Sequence, residues 1–161
     1  LLEDGEADIE LEVGNNHLRI SRSDVTFSTK LIEGKFPDYE AVIPIGADKE
    51  MHVNRDLLRD ALQRAAILSN EKFKGVKLDI HPGVLNIMAH NPEQEEAQEE
   101  IAIESVIEGI SIGFNVNYLL EALAALREET VLIKFRDGNS SALVRDARHE
   151  RSRHVVMPLR L

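Results

Sequence analysis

The chain has 161 residues, 43% hydrophobic and 30% charged, with 19 Lys and Arg against 29 Asp and Glu and a formal net charge of −10. That length suits one sizeable domain or one and a half small ones, and the acidic balance argues against a surface-wide nucleic-acid binder. The absence of cysteine excludes disulfide and thiolate chemistry, and no apolar run reaches the roughly 18 residues of a membrane-spanning helix.

The charge is uneven: residues 1–48 carry a net of −7 and residues 49–161 a net of −3, so the second part can present a basic face while staying mildly acidic. The first residues, Leu1-Leu2-Glu3-Asp4-Gly5, have no basic leader and no initiator Met, and read as a chain cut within a longer protein rather than a signal peptide.

Asp8 to Val13 alternates with period two, apolar at Ile9, Leu11 and Val13, which predicts a half-buried strand. Gly14-Asn15-Asn16 is a turn, His17 to Ser21 pairs back, and Val25 to Thr29 reads as a third strand. No helix precedes them, and three antiparallel strands with one apolar face lack a cover, so they read as the tail of a domain whose front is absent. Leu31 to Pro44, broken by Gly34, Pro37 and Pro44, reads as a joint. Val42 to Gly46 is expected to be extended, with a domain boundary near residue 48.

A second unit fills residues 49–161. Glu50 to Val53 is a short strand, and Asn54 an N-cap for a helix whose apolar stripe is Leu57, Leu58, Ala61, Leu62, Ala65 and Ala66. The helix closes on Ile67 and Leu68, where a polar last turn is usual, so this pair needs a surface to cover, either the core or a partner. Strands are predicted at 76–81 and 84–90 around Pro82-Gly83, and 100–106 is expected to pair with 110–114. Asn115 or Asn117 caps a second helix from Tyr118 to Arg127. A hairpin follows around Asp137-Gly138-Asn139, and residues 154–159 close the sheet. The order gives two βαβββ-like halves by element pattern, with no repeat visible residue by residue.

Chemical motifs are weak. His149 and His154 are spaced i to i+5, which puts them on different faces of a helix, and no metal site is expected; Asp137 to Ser141 lacks the glycine and glutamate of a calcium loop. No phosphate loop, nucleophile elbow or singled-out acid–base pair is present, so no cofactor is implied. The acidic run Glu93 to Glu100 reads as a solvated loop or a charged strand edge.

Several blocks nevertheless stand in a telling order: Phe36-Pro37-Asp38-Tyr39, Arg64 to Gly75, Asn91-Pro92-Glu93-Gln94-Glu95-Glu96, Gly113-Phe114-Asn115-Val116 and Val155 to Leu161. In these the chain resembles the bacterial DNA polymerase III beta subunits, the replicative sliding clamps, from the latter part of their second domain (1–48) through the whole third (49–161). The resemblance implies an α+β DNA-clamp fold, with antiparallel sheets and two helices lining one face. It implies a bacterial cytoplasmic protein at the nucleoid, without chemistry of its own. Its ring-shaped homodimer would encircle duplex DNA and tether DNA polymerase III, the clamp loader and other proteins carrying short binding motifs. Carried over by matching position, the peptide cleft would use Pro37, Val42, Asn115, Tyr118, Ser141, Val155, Met157, Pro158, Leu159 and Arg160. The subunit interface would use Ile67, Leu68, Glu93, Glu96 and Glu99, and a DNA-facing set Arg55, Arg59, Arg64, Lys72, Lys74 and Arg127. Ala41, Asn139 and Leu159 depart from the family pattern, which has Arg, Val and Met there. The competing readings are a small acidic αβ interaction domain or an enzyme whose pocket the sequence does not reveal.

Overall fold

The computed structural model describes residues 8–36 and 38–160. The chain divides into two compact units, one through Asp38 and the other from Tyr39, so residues 39–48 group with the larger unit.

In the first unit β1 (Glu10–Val13), β2 (His17–Arg22) and β3 (Val25–Lys30) form an antiparallel sheet in the order β1-β2-β3. The pairs Leu11↔Ile20, Val13↔Leu18 and Ile20↔Phe27 put the apolar residues on one face. Among the described residues that face lies open, with Val13 67% and Leu11 57% exposed. Ser23 turns the β2–β3 corner at φ 48, the left-handed conformation a two-residue hairpin demands.

The second unit opens with α1 (Tyr39–Val42), a short helix inside the predicted joint that overlaps the run expected to be extended only at Val42. Pro37 and Pro44 stand before and after this turn in the sequence, and its own four residues carry neither Gly nor Pro. Then follow β4 (Lys49–Asn54), α2 (Arg55–Ile67), β5 (Gly75–His81), β6 (Val84–His90), β7 (Glu96–Ala102), β8 (Glu104–Ser105), β9 (Ile110–Asn115), α3 (Val116–Ala125), β10 (Thr130–Phe135), β11 (Ala142–Asp146) and β12 (Arg153–Val156). They build two antiparallel sheets, β12-β11-β10-β4-β8 and β7-β6-β5-β9. The two halves, β4-α2-β5-β6-β7 and β9-α3-β10-β11-β12, exchange their first strands: β4 joins β10 and β9 joins β5. The predicted pairing of 100–106 with 110–114 is therefore wrong. Strand β9 pairs with β5, and 96–102 pairs with β6, because exchange places each first strand beside the other half's second.

The exchange also exposes a repeat that element order alone hides. At an offset of 61 residues, Asn54, Leu58, Ala61 and Leu62 become Asn115, Leu119, Ala122 and Leu123. Both asparagines cap. Asn54 Oδ1 accepts from the N–H groups of Asp56 and Leu57, and Asn115 Oδ1 from Asn117. All six apolar residues of the repeat are buried, together with Ala65 and Leu126 at the next turn. Leu57, counted in the apolar stripe, is 55% exposed, as is its equivalent Tyr118 at 57%; the stripe is narrower than its hydrophobic residues suggest. The helices pack together, with the start of α2 beside the end of α3: Arg55 N–H donates to Glu129 O and Arg55 Nη1 to Leu126 O. Phe114, Phe135, Met51, Leu62, Ile80 and Ile87 fill the space between helices and sheets, each fully buried.

Two further elements are decided by the structure. From residue 96 onward the acidic run takes the strand-edge reading rather than the loop: it is the edge strand β7, alternating so that Ala97, Glu99 and Ile101 turn inward. Glutamate is a poor strand former, and pairing with β6 overrides that preference. The closing strand ends at Val156 rather than 159. Pro158 has no N–H to give a ladder, and Leu159 N–H crosses to the other sheet, reaching Gly113 O at 2.7 Å.

Candidate functional site

Two grooves receive most of the residues assigned to the cleft. The first, of about 490 Å³, lies between α3 and β12 and is lined by Tyr118, Glu121, Ala122 and Arg153 to Met157. Pairing with β11 decides its chemistry. Val156 sits opposite Ala142 and is buried, so Val155 faces outward, and beyond the strand Met157 is 60% exposed. Tyr118 from α3 and Met157 from beyond β12 thus offer an aromatic and a flexible thioether to the groove, the combination that suits an adaptable apolar ligand. His154 faces the helix, and its Nε2 is buried without a hydrogen-bond partner.

The second groove, of about 590 Å³, is polar and holds Pro158, Leu159 and Arg160 with Lys77, Ser111, Gly113, Gly138 and Asn139. The β10–β11 hairpin presses on β9 here: a Cβ on Gly138 would collide with the Ser111 carbonyl oxygen, so only glycine fits. Asp137 fixes the turn by accepting from the Asn139 N–H and the Ser140 hydroxyl. Those bonds and Arg136 pull its carboxyl down to about 2.

The structure does not gather the remaining cleft residues with these. Asn115 is occupied as a helix cap, and its Nδ2 donates to Phe73 O. Ser141 is partly buried and lines neither groove; Val42, at the end of α1, is 42% exposed. Pro37 lies outside the described residues.

At the other end of the unit Ile67 is 78% exposed, while Leu68 is half-buried and its N–H closes the helix onto Ala65 O and Ala66 O. Glu93 and Glu96 are exposed near and on the free edge of β7. Glu99 is different: Arg64 Nε and Nη2 donate to its two carboxylate oxygens at 2.8 and 2.7 Å. The hydrogen bonds from Arg64 hold the Glu99 carboxyl below its ordinary range and raise the guanidinium in turn. Two residues assigned to different surfaces thus pair with each other. No sequence rule singles out that pair, since 35 residues separate its members.

The DNA-facing set is not a bare basic stripe. Arg55 bonds Leu126 O and Asp56, and Arg59 bonds Asp56 and Asp60. Lys72 Nζ lies 5.3 Å over the Phe73 ring, Lys74 turns the corner at φ 48, and Arg127 is exposed just past α3. Among the described residues no group of three or more His, Asp or Glu could hold a metal ion.

The family described as "DNA polymerase III beta subunit, C-terminal domain" matches residues 40–160. The beta sliding clamp of Pseudomonas putida is 47% identical over all 161 residues, and that of Escherichia coli K12 43%; the chain spans about 44% of the length of each. The crystal structure of the DNA polymerase III subunit beta from Pseudomonas aeruginosa superposes with a TM-score of 0.87 at 47% identity, over 97% of this chain and 43% of that one. The Caulobacter crescentus beta subunit gives 0.87 at 33% identity, over 95% of this chain and 41% of its own. The chain belongs to the DNA polymerase III beta-subunit family.

Proposed function

We propose that this chain is the C-terminal portion of a sliding clamp, residues 1–48 the last part of the second domain plus the linker and 49–161 the third domain. The whole protein is a non-catalytic processivity factor: a ring-shaped homodimer that encircles duplex DNA at the bacterial nucleoid and tethers DNA polymerase III. The observation that carries this reading is similarity to beta sliding clamps along the entire chain, with the same fold. The exposed Ile67 at the end of α2 and the free edge of β7 beside Glu93 and Glu96 are the surfaces offered to a second subunit. The Tyr118–Met157 groove and the Leu159–Arg160 tail are offered to the motif peptides of polymerase, clamp loader and other partners. Arg59 and the Lys72–Lys74 corner face DNA. Because Arg59 already has carboxylate partners, its phosphate contacts are exchanged rather than gained. That keeps binding loose, sequence-independent and salt-sensitive, as sliding requires.

The test uses the full-length protein loaded on nicked circular DNA. It should co-elute with the circle in gel filtration and be released when the circle is linearised. Retention on linear DNA with open ends would defeat the encircling reading.

A further inference from the structure

Glu99 occupies a position where a carboxylate is out of pattern. It sits on the inward side of the edge strand, directly opposite Ile87, which is fully buried, and between Ala97 and Ile101 on the same side. An inward-pointing charge on an edge strand normally pushes that edge away from its cover. Here α2 packs over β7 and β6, and Arg64 reaches from its last turn to take both carboxylate oxygens in a parallel, two-pronged contact. The Glu99 side chain is 24% exposed, so the pair is shielded on the carboxylate side. Ile67 lies one turn beyond Arg64, so the same helix end that grips β7 presents the exposed apolar side chain.

We infer that Arg64 and Glu99 form a clasp within one chain that fixes the free edge of β7 relative to Ile67, making them positioning residues for the contact with a second copy. Neither side chain then serves as a DNA contact or as an ion pair across the interface. This inference rests on the homodimer reading above. The clasp converts a charge that would loosen the edge into one that pins it. A strand edge and an apolar knob that must meet one partner together need a fixed spacing, and a bidentate arginine supplies it more rigidly than a lysine would.

The experiment measures the dimer dissociation constant of the full-length protein by analytical ultracentrifugation. R64A and E99Q, which keeps the shape of the side chain, should each weaken the dimer about two- to fivefold, the range of a partly exposed pair. The charge-swapped R64E/E99R protein should return to within about twofold of the parent. A swap weaker than either single variant would overturn the clasp, because it would mean that Glu99 faces a fixed charge on the partner. Singles indistinguishable from the parent would overturn it equally. R64A should also leave the salt dependence of DNA retention unchanged; a slope reduced by about one charge would make Arg64 a phosphate contact and sink the inference. I67A/L68A is run alongside. If it weakens the dimer while the clasp variants do not, the clasp alone fails; if it too has no effect, the interface reading fails with it.

Discussion

The two halves of the larger unit share one plan and put it to opposite use. Helix α2 and edge strand β7 in the first half correspond to α3 and β12 in the second. In the first half the helix runs 13 residues, bears arginines, and grips a seven-residue strand through Arg64 and Glu99. In the second, the helix runs 10 residues, the position equivalent to Arg64 is Ala125, and the strand has only four. Among the described residues no ion pair joins α3 to β12, and a groove lies beside Tyr118, with His154 Nε2 unpartnered in its wall. A closed edge can offer a flat, fixed surface, whereas an open one can admit a ligand. The two halves share a scaffold, and the first carries an ionic contact between helix and edge strand where the second has Ala125.

The largest effect expected is on the closed edge. In the full-length protein, I67A/L68A should remove on the order of 3–6 kcal/mol of association and yield monomers in sedimentation, with the motif-peptide groove unaffected. A fully dimeric double variant would show that this edge is not the subunit contact.

Next, L62A and L123A should each destabilise the fold by about 2–5 kcal/mol in urea denaturation, because both leucines are buried at equivalent points of the two helices. Costs that differ severalfold would break the equivalence of the halves. On the open edge, Y118A and M157A should weaken binding of a fluorescent motif peptide by about tenfold while leaving the dimer intact. Unchanged affinity would remove the groove from the peptide site.

Smaller still, N54A and N115A should each cost about 1 kcal/mol of stability, the value of a lost N-cap. The N54A loss should be the larger, since Asn54 satisfies two N–H groups of its helix and Asn115 one. The smallest effect concerns Asp137. Its folded carboxyl lies at about 2, below the ordinary 3.8, so its contribution is present above 3.8 and lost as pH falls toward 2. Thermal melts of D137N should therefore lie below the parent at neutral pH and converge with it near pH 2; parallel curves would show that the hairpin does not depend on this charge.

Much of this was legible beforehand. The period-two strands, the Asn54 cap and the Pro82-Gly83 corner are local: a few neighbouring residues decide them, and propensity, capping and turn chemistry act over that range. The ordered blocks from Phe36 to the tail carried the family. What the sequence left open depends on residues far apart in it. Strand exchange decided that β9 pairs with β5 rather than with its predecessor, since long-range pairing chooses among strands of similar propensity. Register against β11 decided that Val156 is core and Val155 faces outward, because a one-residue shift reverses every side chain. Register against β6 decided that Glu99 turns toward the helix, and packing of α2 over β7 decided that its partner is Arg64, 35 residues away.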